Sequence, residues 1–110
     1  MNQWDVWFAD FPYEEDASII KPRPVIILDI NPLKVLSVKV THHGARDCDP
    51  YDMPIEHWRE SGLDQPSVAR VSKAIYLTGD KFVRCLGQLL DDDIEKIYYK
   101  YIEYVKSDHT

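Results

Sequence analysis

Arg23 and Thr41 are the residues whose types and placement suggest chemistry on a phosphate. Arg23 lies in Lys21-Pro22-Arg23-Pro24, directly before the apolar run Val25-Ile26-Ile27-Leu28. Each proline pushes the residue before it into extended geometry, so Lys21 and Arg23 sit on stiff backbone. Pro24 has no N–H to give a sheet and suits the first residue of a strand. An arginine held this way can act as a preorganised charge clamp, although a solvated arginine at a loop–strand junction has the same sequence. Thr41 closes the alternating segment 35–41, in which Leu36, Val38 and Val40 point one way, into the core, and Ser37, Lys39 and Thr41 the other. Thr41 is therefore expected on a polar face beside a lysine, where a solvated β-favouring threonine is the plain alternative. A turn at Asn31-Pro32 would fold the two segments into an antiparallel hairpin with Arg23 opposite Thr41. A guanidinium can bind two phosphate oxygens, and a hydroxyl can orient or donate. With RNA the neighbouring 2′-OH can supply the nucleophile, so such a site requires no metal.

Two other groupings compete. His42, His43, Cys48 and His57 could be read as zinc ligands, but their spacing matches no standard pattern, and adjacent histidines on extended backbone point to opposite faces. No metal is expected. Histidine acid–base chemistry is the second, because His42 and His43 directly follow Thr41 and imidazole titrates near neutral pH. An exposed loop histidine without a role fits the same residues.

The elements that must position these groups follow from periodicity and punctuation. Strands are expected over Asp5–Phe11, Val25–Ile30 and Val35–Thr41, with a short one near Tyr51–Met53. Pro54 to Gly62 reads as a short helix, with Pro54 in its first turn, Gly62 at its C-terminal cap, and Ile55 and Trp58 on one face. Ser67–Val71, Ala74–Leu77 and Lys81–Leu86 are strand-like, with a turn at Thr78-Gly79-Asp80. A terminal helix starts with Asp91 as its N-cap, and Ile94, Ile97, Tyr98, Tyr101, Ile102 and Val105 form its apolar stripe. Core packing accounts for that stripe, and its tyrosines could also serve a partner. The sum is a mainly β, α+β fold of five to seven short strands, rolled or closed as a small barrel, with a short inserted helix and a C-terminal helix.

The 110 residues suit one domain spanning 1–110. No signal peptide or apolar run of membrane-spanning length is present in them, and the two cysteines, Cys48 and Cys85, are expected as free thiols of a cytoplasmic protein, a bridge remaining open. The net charge of -6 argues against a general polyanion binder. Its distribution is uneven, however: residues 1–16 carry -5, residues 17–84 carry +2 and residues 85–110 carry -3. A nucleic-acid site in the middle of the chain is compatible with that partition, as is a solvated mixed surface.

Taken together and in order, these motifs resemble the MazF/PemK toxins of bacterial type II toxin–antitoxin systems. Asp5-Val6-Trp7-Phe8-Ala9-Asp10-Phe11 is similar to the family's opening strand. Lys21-Pro22-Arg23-Pro24-Val25-Ile26-Ile27-Leu28 is similar to its Arg-Pro-apolar signature. Val38-Lys39-Val40-Thr41 resembles the strand that ends in a catalytic Thr or Ser, and Phe82 to Leu89 resembles the last strand and the turn into the terminal helix. The resemblance implies an SH3-like, plasmid-toxin barrel and a homodimer. It implies a metal-independent, cofactor-free endoribonuclease that cuts single-stranded RNA at short sequences, leaving a cyclic phosphate and a 5′-OH, and that is blocked by a cognate antitoxin. Arg23 would stabilise the transition state and Thr41 would position or protonate the scissile phosphate. Lys21, Lys39, His42, His43, Arg46 and Arg70 would line the RNA path, and residues 12–20 would form the loop bordering it. The chain departs from the family at Gln3-Trp4, where a glycine usually precedes Asp5. It also departs at Glu14 and Glu15, which match no family acid, at His42-His43 after Thr41, and over Asp47–Gln65. The alternative function keeps the fold without the chemistry, as a binding module or a protein-targeting relative such as the gyrase poisons.

Overall fold

The computed structural model describes residues 1–12, 16, 18–45 and 49–107. Six strands form one antiparallel sheet: β1 (Asp5–Pro12), β2 (Ile20–Ile30), β3 (Val35–Thr41), β4 (Asp52–Pro54), β5 (Val68–Leu77) and β6 (Phe82–Gln88). Their order is β4-β5-β3-β2-β1-β6, so β4 and β6 are the two edges and the sheet is open, the rolled rather than the closed of the two forms the sequence allowed. One helix, α1 (Asp91–Lys106), follows the last strand.

The pattern of β3 fixes its limits at Val35 and Thr41, as the alternation predicts. Strand β2 is longer than expected and runs through Pro22 and Pro24. Pairing with β3 ends at Val25↔Lys39, whereas pairing with β1 continues through Pro24, Arg23 and Pro22 to Ile20. Residues 20–24 are thus a half-edge, where a proline's missing N–H deprives no second neighbour. The two strand-like runs after Ser67 are one strand, β5, whose register against β3 slips between Val38↔Ala74 and Lys39↔Arg70.

Apolar side chains cover both faces of the sheet. One core joins Val6, Ile26, Leu28, Val38, Val40 and Val71 to Ile97 of α1. The other gathers Ala9, Phe11, Val25, Ile27, Val35 and Leu77. The polar face expected on β3 is therefore not solvated: Ser37, Lys39 and Thr41 are all buried. The helical stripe also differs slightly from expectation. Ile94, Ile97, Tyr101 and Tyr104 pack on the first core, while Tyr98 and Val105 are exposed.

The segment 54–62 folds as successive turns rather than a helix. Pro54 still belongs to β4, and the Ile55 N–H bonds to the Ser67 carbonyl, so the first residues are held in sheet-like pairing. The remainder is too short to offset helix nucleation. The segment nevertheless ends as a helix would: the Leu63 N–H reaches the Trp58 carbonyl and the Gly62 N–H reaches that of Arg59, the paired bonds of a Schellman cap. Gly62 takes φ +94, and a Cβ there would lie 2.0 Å from the Leu86 carbonyl oxygen. A Cβ on Gly87 would lie 2.4 Å from the Ser61 carbonyl oxygen, so the two backbones touch with no room for side chains. Among the described residues the other with positive φ is Trp4, at 71°. Its N–H bonds to the Ile27 carbonyl and its carbonyl accepts the Leu89 N–H, while its ring packs on the first core. Those bonds and that packing hold a conformation an unsupported tryptophan would avoid.

The helix begins at Asp91 with Leu90 as its cap residue, one position before the expected Asp91. Asp93, almost fully buried, accepts the backbone N–H groups of Glu56 at 2.9 Å and His57 at 2.8 Å, tying α1 to the turns. The His57 ring adds an outer clasp, lying 3.2 Å from Glu56 and Glu60 and 3.3 Å from Asp92. Burial pulls the His57 pKa down, but the Asp92 hydrogen bond, the Glu56 and Asp93 charges and the Glu60 hydrogen bond outweigh it and raise the pKa above 6.5.

Two predictions follow from this clasp. Asp93→Ala leaves the Glu56 and His57 N–H groups without this partner and should lower stability by about 1–3 kcal/mol in urea unfolding. The folded state favours protonated His57, so its contribution is complete below pH 6.5 and is lost as pH rises through the higher folded-state value. The melting temperature of the wild type should show this decline, and His57→Gln should flatten that part of the profile.

Candidate nucleic-acid interface

The site follows from where β3 ends. Lys39 pairs with Val25 on one side and with Arg70 on the other, and Thr41 pairs with Val68. Continuing the β2–β3 register by two residues sets Arg23 against Thr41, at the half-edge of β2. Arg23 itself pairs with Ala9 on β1. The strand ends border a pocket of about 880 Å³. Pro22, Arg23 and Pro24 form one wall with Phe8, and Lys39, Val40, Thr41, His42 and His43 form the next. Leu63, Asp64, Gln65, Ser67 and Arg70 complete it.

The pocket brings together Arg23, Thr41, Lys39, His42, His43 and Arg70 of the residues predicted from sequence. Lys21 is exposed on β2 opposite Phe11 and does not line it. Arg46, Glu14, Glu15 and Cys48 lie outside the described residues. The zinc grouping is not assembled: His57 sits in the clasp against α1, not beside His42 and His43. Among the described residues the atoms that could together hold an ion are those of Glu56, His57 and Asp92, on the exposed acidic surface of that clasp.

The local electrostatics differ from those of the whole chain. Three permanent cations, Arg23, Lys39 and Arg70, line the pocket against one carboxylate, Asp64. A protein of net charge -6 thus presents a positive cavity, partly walled by protein and suited to an anion. The Thr41 oxygen accepts the His43 N–H at 3.3 Å, which leaves the hydroxyl hydrogen available to donate. That bond also helps turn the chain out of β3, and the His42 and His43 rings stack with centroids 4.5 Å apart. Neither ring follows the opposite-face arrangement of an extended pair, because the residues lie in a bend.

The wall that includes Leu63, Asp64, Gln65 and Ser67 is one that no motif in the sequence marks. Its placement depends on the Gly62–Leu86 backbone contact, on Leu63 packing into the first core, and on the Ser67 hydroxyl bonding the Gln65 carbonyl at 2.8 Å. Gly62 was the one local signal for it. A smaller cavity of about 270 Å³ adjoins the pocket, sharing Phe8, Pro24, Leu63 and Asp64 and adding Arg84. The Arg84 guanidinium lies over the Phe8 ring, 5.5 Å from its centroid.

Residues 2–104 match the family described as PemK-like, MazF-like toxin of type II toxin-antitoxin system. The chain belongs to this family. Among solved structures, it is similar to the Mycobacterium tuberculosis toxin MazF-mt6, with a TM-score of 0.74 and 20% identity over 94% of this chain and 98% of that one. It is also similar to a structure described as an endoribonuclease in complex with its cognate antitoxin from Mycobacterial species, with a TM-score of 0.73 and 14% identity over 100% of this chain and 99% of that one. At these identities the likeness shows the shared fold. No curated protein is significantly similar in sequence. No helix among the described residues of this PemK/MazF-family chain is long and apolar enough to cross a membrane.

If the β2–β3 half-edge positions Arg23, its flanking prolines matter more than their side chains. Pro22→Ala with Pro24→Ala should leave the secondary-structure content seen by circular dichroism unchanged and raise amide exchange over residues 20–24, measured by hydrogen–deuterium exchange.

Proposed function

We propose that this chain is a metal-independent endoribonuclease toxin that cleaves single-stranded RNA and is neutralised by a cognate antitoxin. The observation that carries the reading is the meeting of Arg23, Lys39, Arg70 and the Thr41 hydroxyl in one positive pocket of an acidic protein. Membership of a toxin family and a structural neighbour described as an endoribonuclease bound to its antitoxin support it.

The chemistry would run through the substrate's own 2′-OH. Its oxygen attacks the adjacent phosphorus, the bond from phosphorus to the 5′-oxygen breaks, and a cyclic phosphate and a 5′-OH result. Arg23 binds the non-bridging oxygens, where negative charge accumulates in the phosphorane-like transition state. The Thr41 hydroxyl donates toward the phosphate or the departing oxygen, its own oxygen being engaged by the His43 N–H. The imidazoles of His42 and His43 line the same pocket and supply an acceptor for the 2′-OH proton, and water gives the departing 5′-oxygen the proton that makes it a 5′-OH. An acidic antitoxin segment would compete for the same cations, and the active assembly would be a homodimer.

The test is incubation of the purified protein with single-stranded RNA in the presence of chelator. Cleavage should yield 5′-OH fragments, and Arg23→Ala should reduce kcat by about 10²–10³. Thr41→Val should cost about 10–10² and Thr41→Ser much less. Absence of cleavage by the wild type, or equal cleavage by Arg23→Ala, would overturn the enzymatic reading and favour a binding module of the same fold.

A further inference from the structure

We propose that Arg70, with Lys39 beside it, forms a second phosphate subsite in the pocket, which takes a phosphodiester neighbouring the one held by Arg23. The proposal rests on the nucleic-acid reading of the pocket and specifies how the strand lies in it.

Arg70 is only 8% exposed, and its Nε is buried with no hydrogen-bond partner among the described residues. Buried polar atoms are nearly always paired, so an unsatisfied guanidinium nitrogen in a pocket wall marks the place of an absent acceptor. The register makes its position more costly. Lys39, also 8% exposed, is its directly opposed partner on β3, and like charges across a ladder repel. Asp52 faces Arg70 from β4 and offsets one of the two charges, leaving a net positive pair on the pocket floor. The unpaired Arg70 Nε in this cationic setting suits a phosphate, whose oxygens accept from a guanidinium and an ammonium together.

Sheet geometry separates this pair from Arg23. Arg70 is two strands across from Arg23, about 10 Å, and two residues along, about 7 Å. Both side chains line the same pocket. That separation suits two phosphates of one strand better than two oxygens of one phosphate. The strand would then cross β3 from the half-edge of β2 towards β5, passing over Thr41 and Lys39.

The experiment uses Arg70→Met, which keeps an unbranched side chain and removes the charge. The probe is a short single-stranded DNA oligonucleotide, which lacks the 2′-OH and cannot be cleaved. Its affinity is measured from about 50 to about 200 mM salt, the range over which phosphate contacts are resolved. Melting of the ligand-free protein is measured alongside. Arg70→Met should bind about tenfold more weakly at the low-salt end, with a log–log salt slope shallower by about 0.7, the loss of one single-strand phosphate contact. The same substitution should raise the melting temperature of the free protein, because it removes a buried, poorly paired charge. A structural arginine would give the opposite melting shift. An unchanged salt slope, or no binding of the oligonucleotide by the wild type, overturns the subsite. If RNA is not cleaved but the slope changes as stated, the subsite stands and the nuclease reading fails.

Discussion

Strand β3 is buried along its whole length, and the site depends on that constraint. With β2 on one side, β5 on the other and a core on each face, it has no solvated side on which to place polar groups. Lys39 and Thr41 must therefore be accommodated inside. They are accommodated where the sheet stops pairing, with Arg23 just beyond the last β2–β3 pair and Arg70 across the ladder to β5. The pocket is what remains when a central strand carries polar residues past the last ladder bond with β2. Its positive charge arises from this local topology and not from the composition of the chain.

The hairpin of β2 and β3 was legible in the sequence because three signals agreed: the period-two pattern of 35–41, the Asn31-Pro32 turn, and strands of matching length. The terminal helix was legible for a similar reason, from Ile94, Ile97 and Tyr101 at helical spacing. Less legible was the surrounding of each face. Alternation says that Lys39 and Thr41 share a side, but it does not say that Val25 and Ile27 of a neighbouring strand will cover it. The prolines misled in one respect. Pro24 suggested a strand beginning, whereas the strand runs through it, because only β1 flanks that stretch. The reading of 54–62 as a helix failed because Pro54 and Ile55 are engaged in pairing with β5, a non-local bond that no local pattern records.

The departure at Trp4 has a comparable explanation. Trp4 takes left-handed backbone and is held there by two main-chain bonds and by contact with the first core and with Tyr98. The fold at low sequence identity remains close to that of the mycobacterial toxin, with a TM-score of 0.74 at 20% identity.

The apposition of Gly62 and Gly87 has a consequence for how such a pocket can diversify. The wall of residues 63–67 is moored by main chain against main chain, at a point where no side chain takes part. Asp64 and Gln65 can therefore exchange their side chains without shifting the wall that carries them, whereas the Ser67 hydroxyl helps to hold it. A pocket moored in this way can change the chemistry of its rim while the distance from that wall to Arg23 and Thr41 stays constant. The rim and the Arg23–Thr41 corner are then separable in sequence though adjacent in space.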